Sequence, residues 1–238
     1  MRMQTDARSL FAGLEDRSVG LVITDPPWAL YDSGRFAACA SYERMDVHDI
    51  AAILGEAREK VVKGGHMYTW APAGPELQNV LQEFTAVGWR FLRLLGWDKG
   101  VHRGLGAYRN ALEPVLVFSN GPSRGFEKSG TYPSLLKARG PEYRTAKPWQ
   151  LYKVFMEMSS KAGELVVDPF CGTNPLEKAA KNLQPARRWL AGDLETAKAV
   201  AADIKDRAWA RSNGRPQPDG PRLETALFPP QPTVEDSP

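Results

Sequence analysis

The sequence predicts an α/β protein with a mainly parallel sheet and helices on both faces. Short apolar strands alternate with amphipathic helices from residue 6 to about 208, and βα units of this length favour parallel pairing. Two of those strands also end in the same Asp-Pro pair, Asp25-Pro26 and Asp168-Pro169. Proline cannot extend a sheet ladder, so both strands stop there. In parallel sheets such carboxyl ends are where ligands bind.

Taken in order, residues 6–14 read as a helix and 19–24 as a buried strand. Residues 31–45 lack periodicity and read as a long loop. Asp46 caps a helix running through "VHDIAAILGEAREKVV", with Gly64-Gly65 as its stop. A strand follows at 66–71, then an amphipathic helix at 75–88 that opens on proline and closes on glycine. Strands are expected at 89–97 and 113–120, with a loop between them. Residues 121–146, rich in Gly, Pro, Ser, Lys and Arg, read as an irregular insertion. The chain then gives a helix at 148–163, a strand at 164–168, a helix at 175–183, a strand at 187–193 and a helix at 195–208. Seven prolines between Pro216 and Pro238 mark 211–238 as a disordered or extended tail. The expected organisation is one domain over 1–210, the insertion included, followed by that tail.

Composition narrows the class. Of 238 residues, 42% are hydrophobic and 25% charged, as in soluble globular chains. No apolar run approaches the length of a membrane span, and "MRMQTDARSL" lacks a signal-peptide core, so a cytoplasmic location is expected. Cys39 and Cys171 lie far apart and are expected as thiols. His48, His66 and His102 have no metal-ligand spacing, and no metal is expected. A net charge of +3 permits a nucleic-acid partner without requiring one.

The two strand ends continue differently. After Asp25 come two prolines and Trp28, a stiff backbone carrying a carboxylate and a large ring. After Asp168 the loop "PFCGTN" supplies one glycine for close backbone approach and leads into a helix at Pro175. The next strand, "RRWLAGD", ends in Asp193, placed to bond ribose hydroxyls. Glycines are too sparse for a dinucleotide fingerprint and there is no Walker sequence, so a nucleoside-bearing cofactor without a phosphate fits better. Either Asp-Pro alone is an ordinary turn; the combination is what carries chemistry.

These motifs resemble the β-class amino-methyltransferases, which transfer methyl groups from S-adenosyl-L-methionine to exocyclic amines in DNA. "DPPW" at 25–28 matches the family's (D/N/S)-P-P-(Y/W) signature. "DPFCG" at 168–172 matches the start of its D-P-F-x-G-S-G-T cofactor motif, but Thr173-Asn174-Pro175 replaces Ser-Gly-Thr. Asn174 can still adopt a left-handed conformation, and Pro175 suits a first helical position. "LEPVLVFSNG" and the Lys147-Pro148 pair are further family features, in the family's order. The resemblance implies a Rossmann-like methyltransferase fold with permuted motif order, the catalytic motif preceding the cofactor motif.

It also implies roles. Asp25, Pro26, Pro27 and Trp28 are the expected catalytic residues. Asp168, Pro169, Phe170, Gly172, Thr173, Asp193 and Lys147 are the expected S-adenosyl-L-methionine residues. The expected partner is double-stranded DNA with its target base flipped into the pocket; family members are often dimers, which makes a homodimer part of the resemblance. Tyr31, Arg35, Lys99, Arg103, Tyr108 and Arg109, from loops expected around the pocket, are the candidate nucleic-acid contacts, with Phe126, Lys128 and Tyr132 of the insertion beside them. The family places target recognition largely in this insertion, and only some 26 residues there imply a short recognition sequence or loose specificity. Aspartate at the first motif position leans to adenine N6. Cytosine N4, an adenine in RNA, and a catalytically silent partner subunit remain alternatives.

Overall fold

The computed structural model describes residues 2–29, 44–103, 110–128, 130–138 and 146–192. They comprise α1 (Arg2–Ala12), β1 (Val19–Thr24), α2 (Val47–Ala57), β2 (Val61–Trp70), α3 (Glu76–Ala86), β3 (Arg90–Arg103), β4 (Asn110–Ser119), β5 (Leu135–Lys137), α4 (Trp149–Ser159), β6 (Leu165–Asp168), α5 (Pro175–Lys181) and β7 (Arg188–Ala191). The strands form one sheet in the order β5-β3-β4-β2-β1-β6-β7. Among them β4 alone runs against the others, pairing antiparallel with both β2 and β3. The mainly parallel α/β architecture expected from the sequence is therefore present. The expected helix at 195–208 and the tail at 211–238 lie outside the described residues.

Period-2 alternation sorts the strand residues between two cores. On β1, Val22 faces one side and Leu21 and Ile23 the other; on β4, Leu116 and Phe118 oppose Val115 and Val117. The first core is closed by Phe11 of α1, Ile50 and Leu54 of α2, and Val80 and Phe84 of α3. The second is closed by Leu151, Tyr152, Phe155 and Met156 of α4 and Leu176 of α5. Asp46 caps α2 as expected, its side chain accepting from the Asp49 N–H.

Three boundaries differ from the sequence reading. The helix expected through Val62 ends at Ala57, passes through a 3-10 turn at Arg58–Lys60, and gives way to β2 at Val61. Gly64 and Gly65 are thus no helix stop but a bulge inside β2: Val19 pairs with Val61, yet Leu21 pairs with His66. Gly64 has φ 72, and a Cβ there would lie 2.7 Å from the Pro122 carbonyl oxygen and the Arg124 nitrogen. Glycine serves this close approach as well as it serves a cap. Second, much of the loop expected between β3 and β4 is strand, since pairing continues to Arg103 and Asn110. Third, the insertion contains β5, which pairs parallel with β3 from Gly96↔Leu135 to Asp98↔Lys137.

Among the described residues no helix is long and apolar enough to cross a membrane. His66 is a buried core histidine, its ring nitrogens 2.8 Å from the hydroxyls of Ser159 and Ser123. Burial, helped by Arg124, pushes its pKa down to about 4.

Candidate active site

β1 and β6 lie side by side and parallel, with Val22 opposite Val167. Their carboxyl ends carry Asp25 and Asp168, 143 residues apart in sequence, to one edge of the sheet. The two strand ends read from the sequence as halves of one site are thus neighbours in the sheet.

The Asp25 half is braced by its own backbone. The Trp28 N–H donates to the Pro26 carbonyl at 2.9 Å, turning the chain directly after the prolines. The Met45 N–H donates to the Pro27 carbonyl and the Ala29 N–H to the Met45 carbonyl, each at 2.8 Å. Trp28 is half-buried: its Nε1 donates to the Trp70 carbonyl at 3.2 Å, and its ring lies 6.2 Å from that of Phe84. Part of the indole therefore anchors the motif, and the remainder faces outward.

Asp25 Oδ2 lies 2.7 Å from Lys147 Nζ. The same ammonium lies 3.3 Å from Glu113 Oε2, and Lys99 Nζ lies 2.6 Å from Glu113 Oε1. Lys147, expected with the cofactor motif, is thus joined to the DPPW carboxylate. Lys99, expected on the nucleic-acid rim, holds Glu113 and lies 5.8 Å from the Trp97 ring. Burial raises the Asp25 pKa above the usual carboxylate value, opposed by Lys147 and reinforced by Glu113. Glu113 is lowered: the Lys147 and Lys99 charges together outweigh its own burial.

The Asp168 half has neutral partners. The Tyr152 hydroxyl donates to Oδ2 and the Phe170 N–H to Oδ1, both at 3.1 Å. Burial drives the Asp168 pKa up to about 7, and the nearby Asp25 charge adds to the rise. Tyr152 is itself held by stacking on Trp70, with centroids 5.1 Å apart.

The loop after Asp168 takes the conformation that its sequence allows. Asn174 is left-handed (φ 53, ψ 56) and caps α5, accepting from the Glu177 N–H at 3.2 Å, with Pro175 at the helix start. Cys171 is a buried thiol that donates to the Gly192 carbonyl. Phe170 is buried in the first core, so its ring fixes the loop from below. Gly172 has φ 49, and among the described residues nothing lies within 4 Å of where its Cβ would be, so that side is open. Gly192 is the opposite case, since a Cβ would lie 2.5 Å from the Pro169 carbonyl oxygen. The Gly192 N–H donates to the Asp168 carbonyl at 2.8 Å, which holds the end of β7 against the loop.

Tyr31, Arg35, Tyr108, Arg109 and Asp193, and the side chain of Arg103, lie outside the described residues. Of the insertion residues, Phe126 stacks on His66 at 4.6 Å and Tyr132 donates to Glu157 at 2.5 Å. Lys128 also lies 3.5 Å from Glu157. These three serve packing and pairing against α4 and β2, because the insertion folds back on the second core. Sequence reasoning misses Glu113 and Tyr152. Glu113 stands in the quoted "LEPVLVF" strand, a signal that is available, whereas Tyr152 looks like any core aromatic of an amphipathic helix.

No family model matches the chain, and no curated protein matches it. Solved structures do. The cytosine-N4-specific PvuII DNA methyltransferase is 19% identical, over 88% of this chain and 91% of that one, with a TM-score of 0.64. M1.HpyAVI, in complex with S-adenosylmethionine, is 16% identical over 83% and 96%, TM-score 0.62. TTHA0409 of Thermus thermophilus, complexed with S-adenosyl-L-methionine, is 19% identical over 87% and 92%, TM-score 0.59. At these identities what is shared is the architecture, and the chain has the fold of these three proteins.

Proposed function

We propose that the protein is an S-adenosyl-L-methionine-dependent DNA methyltransferase that acts on the exocyclic N6 amine of a flipped adenine. The observation that carries this reading is the meeting of DPPW and DPFCG at the carboxyl ends of two adjacent parallel strands. The three structural neighbours support it, two of them crystallised with the methyl donor and one a DNA methyltransferase.

The residues fit such a cofactor: Gly172 leaves open space beside a loop whose orientation is fixed by Asp168, Asn174 and Phe170. Asp168, Pro169, Gly172 and Thr173 would hold it, with Asp193 for its ribose. When bound, S-adenosyl-L-methionine supplies an electrophilic methyl group on a sulfonium.

An exocyclic amine is a weak nucleophile because its lone pair is delocalised into the ring. Asp25 and the second lone pair of the Pro26 carbonyl are acceptors for its two N–H bonds, which favours a pyramidal nitrogen with a free lone pair. As that nitrogen attacks it becomes positive, and the Asp25 carboxylate stabilises the charge. The prolines and the Trp28 N–H bond keep both acceptors in place, so little reorganisation accompanies reaction. The outward part of Trp28 offers a stacking face for the base, worth about 1–3 kcal/mol.

Cytosine N4 is the second reading, favoured by the N4-specific enzyme among the neighbours. One assay separates them: incubate the protein with methyl-labelled cofactor and DNA or RNA, digest to nucleosides and identify the labelled product. N6-methyldeoxyadenosine is expected. N4-methyldeoxycytidine replaces the target, label only in RNA replaces the substrate, and no label in any nucleoside overturns the reading.

A further inference from the structure

Four charges of alternating sign line one wall of the site: Asp25, Lys147, Glu113 and Lys99, at successive separations of 2.7, 3.3 and 2.6 Å. They sum to zero, which lowers the cost of burying each. Lys147 is the most enclosed of them, its side chain 13% exposed against 27% for Asp25. Its Nζ also lies 6.0 Å over the Trp70 ring. A lysine's four-carbon stem has many rotamers. Two carboxylates and an aromatic face select one of them, and Lys99 in turn fixes Glu113.

We infer that Lys147 is the positioning residue for Asp25, claiming Oδ2 and holding the group as a carboxylate while Oδ1 is left to accept an N–H of the target amine. The amine's part in this rests on the function proposed above; the hold on Asp25 does not. Among the described residues, the groups facing Asp25 are Lys147 from the approach to α4, Glu113 from β4, Asp168 from β6 and Tyr152 from α4. Lys147 is the cation among these four. Its ammonium opposes the burial and the Glu113 charge that raise the Asp25 pKa, so losing it raises that pKa further.

The test is a carboxyl-carbon NMR titration of Asp25 in the full chain without nucleic acid, with Asp25→Asn to assign the resonance. Lys147→Met and Lys147→Gln remove the charge, and either suffices if the other does not fold; Lys147→Arg retains it. The Asp25 midpoint is expected to rise by about one pH unit or more in the neutral variants and to stay near the wild-type value in Lys147→Arg. Methyl transfer by the neutral variants should then be lost as pH falls through the raised Asp25 midpoint and recover above it, the whole pH profile moving up by the same shift. An Asp25 midpoint unmoved in the neutral variants overturns the inference, as does transfer reduced equally at every pH. A wild-type protein that labels no nucleic acid would sink the proposed function instead, and the titration would still decide the role of Lys147.

Discussion

Asp25 and Asp168 end adjacent strands with the same Asp-Pro pair, yet their surroundings differ. Asp25 meets an ammonium at 2.7 Å, whereas Asp168 meets a phenol hydroxyl and a backbone N–H, each at 3.1 Å. Both are raised by burial, but only Asp25 has a cation working directly against the rise. Asp168, with neutral donors, reaches about 7. One motif therefore builds two kinds of group. Asp25 is a carboxylate paired with an ammonium, and Asp168 is a buried acceptor that shapes a loop.

That contrast can be broken by substitution. Asp25→Asn removes the charge with little change of shape, and methyl transfer should fall by about 10²–10³-fold in a labelled-cofactor assay. Gly192→Ala acts on the loop side, where the new Cβ would meet a backbone oxygen at 2.5 Å and neither atom is on a flexible side chain. It should cost about 1–3 kcal/mol in denaturant unfolding, with weaker cofactor binding.

Asp168→Asn should have a smaller, pH-dependent effect on stability. The folded pKa near 7 lies above the ordinary 3.8, so between these values the native state binds more protons than the unfolded one. Wild-type stability contributed by this group is accordingly full below the unfolded value and is lost as pH rises through about 7. Asparagine does not titrate, so the Tm of Asp168→Asn relative to wild type should rise by a few degrees from pH 5 to pH 8. A constant difference across that range would place Asp168 among ordinary ionised carboxylates.

The parts legible in the sequence are those decided locally. Val19–Thr24 and Leu165–Asp168 are short apolar runs closed by proline, and Asn174-Pro175 combines a left-handed former with a helix-start residue; the structure follows both. The β2 bulge escapes a sequence reading because its cause is not local. Gly64-Gly65 fits a helix stop equally well until residues 120–124 approach it, through bonds from Gly64 to Asn120 and from Arg124 to Gly64. β5 is three residues long, too short for any periodicity, and is strand because β3 offers it an edge. The charged wall is illegible for the same reason. Its members lie at 25, 99, 113 and 147, and only the placing of β4 beside β2, with β1 next to β2, joins them.

Under the proposed function the two strand ends divide one reaction, with Asp25 acting on the target amine and Asp168 on the cofactor loop. Calorimetric titration of S-adenosyl-L-methionine into wild type, Asp25→Asn and Asp168→Ala tests it most directly. Wild-type affinity is expected in Asp25→Asn, and strongly reduced affinity in Asp168→Ala, where the Phe170 N–H loses its acceptor. Loss of binding in Asp25→Asn together with full binding in Asp168→Ala would contradict it.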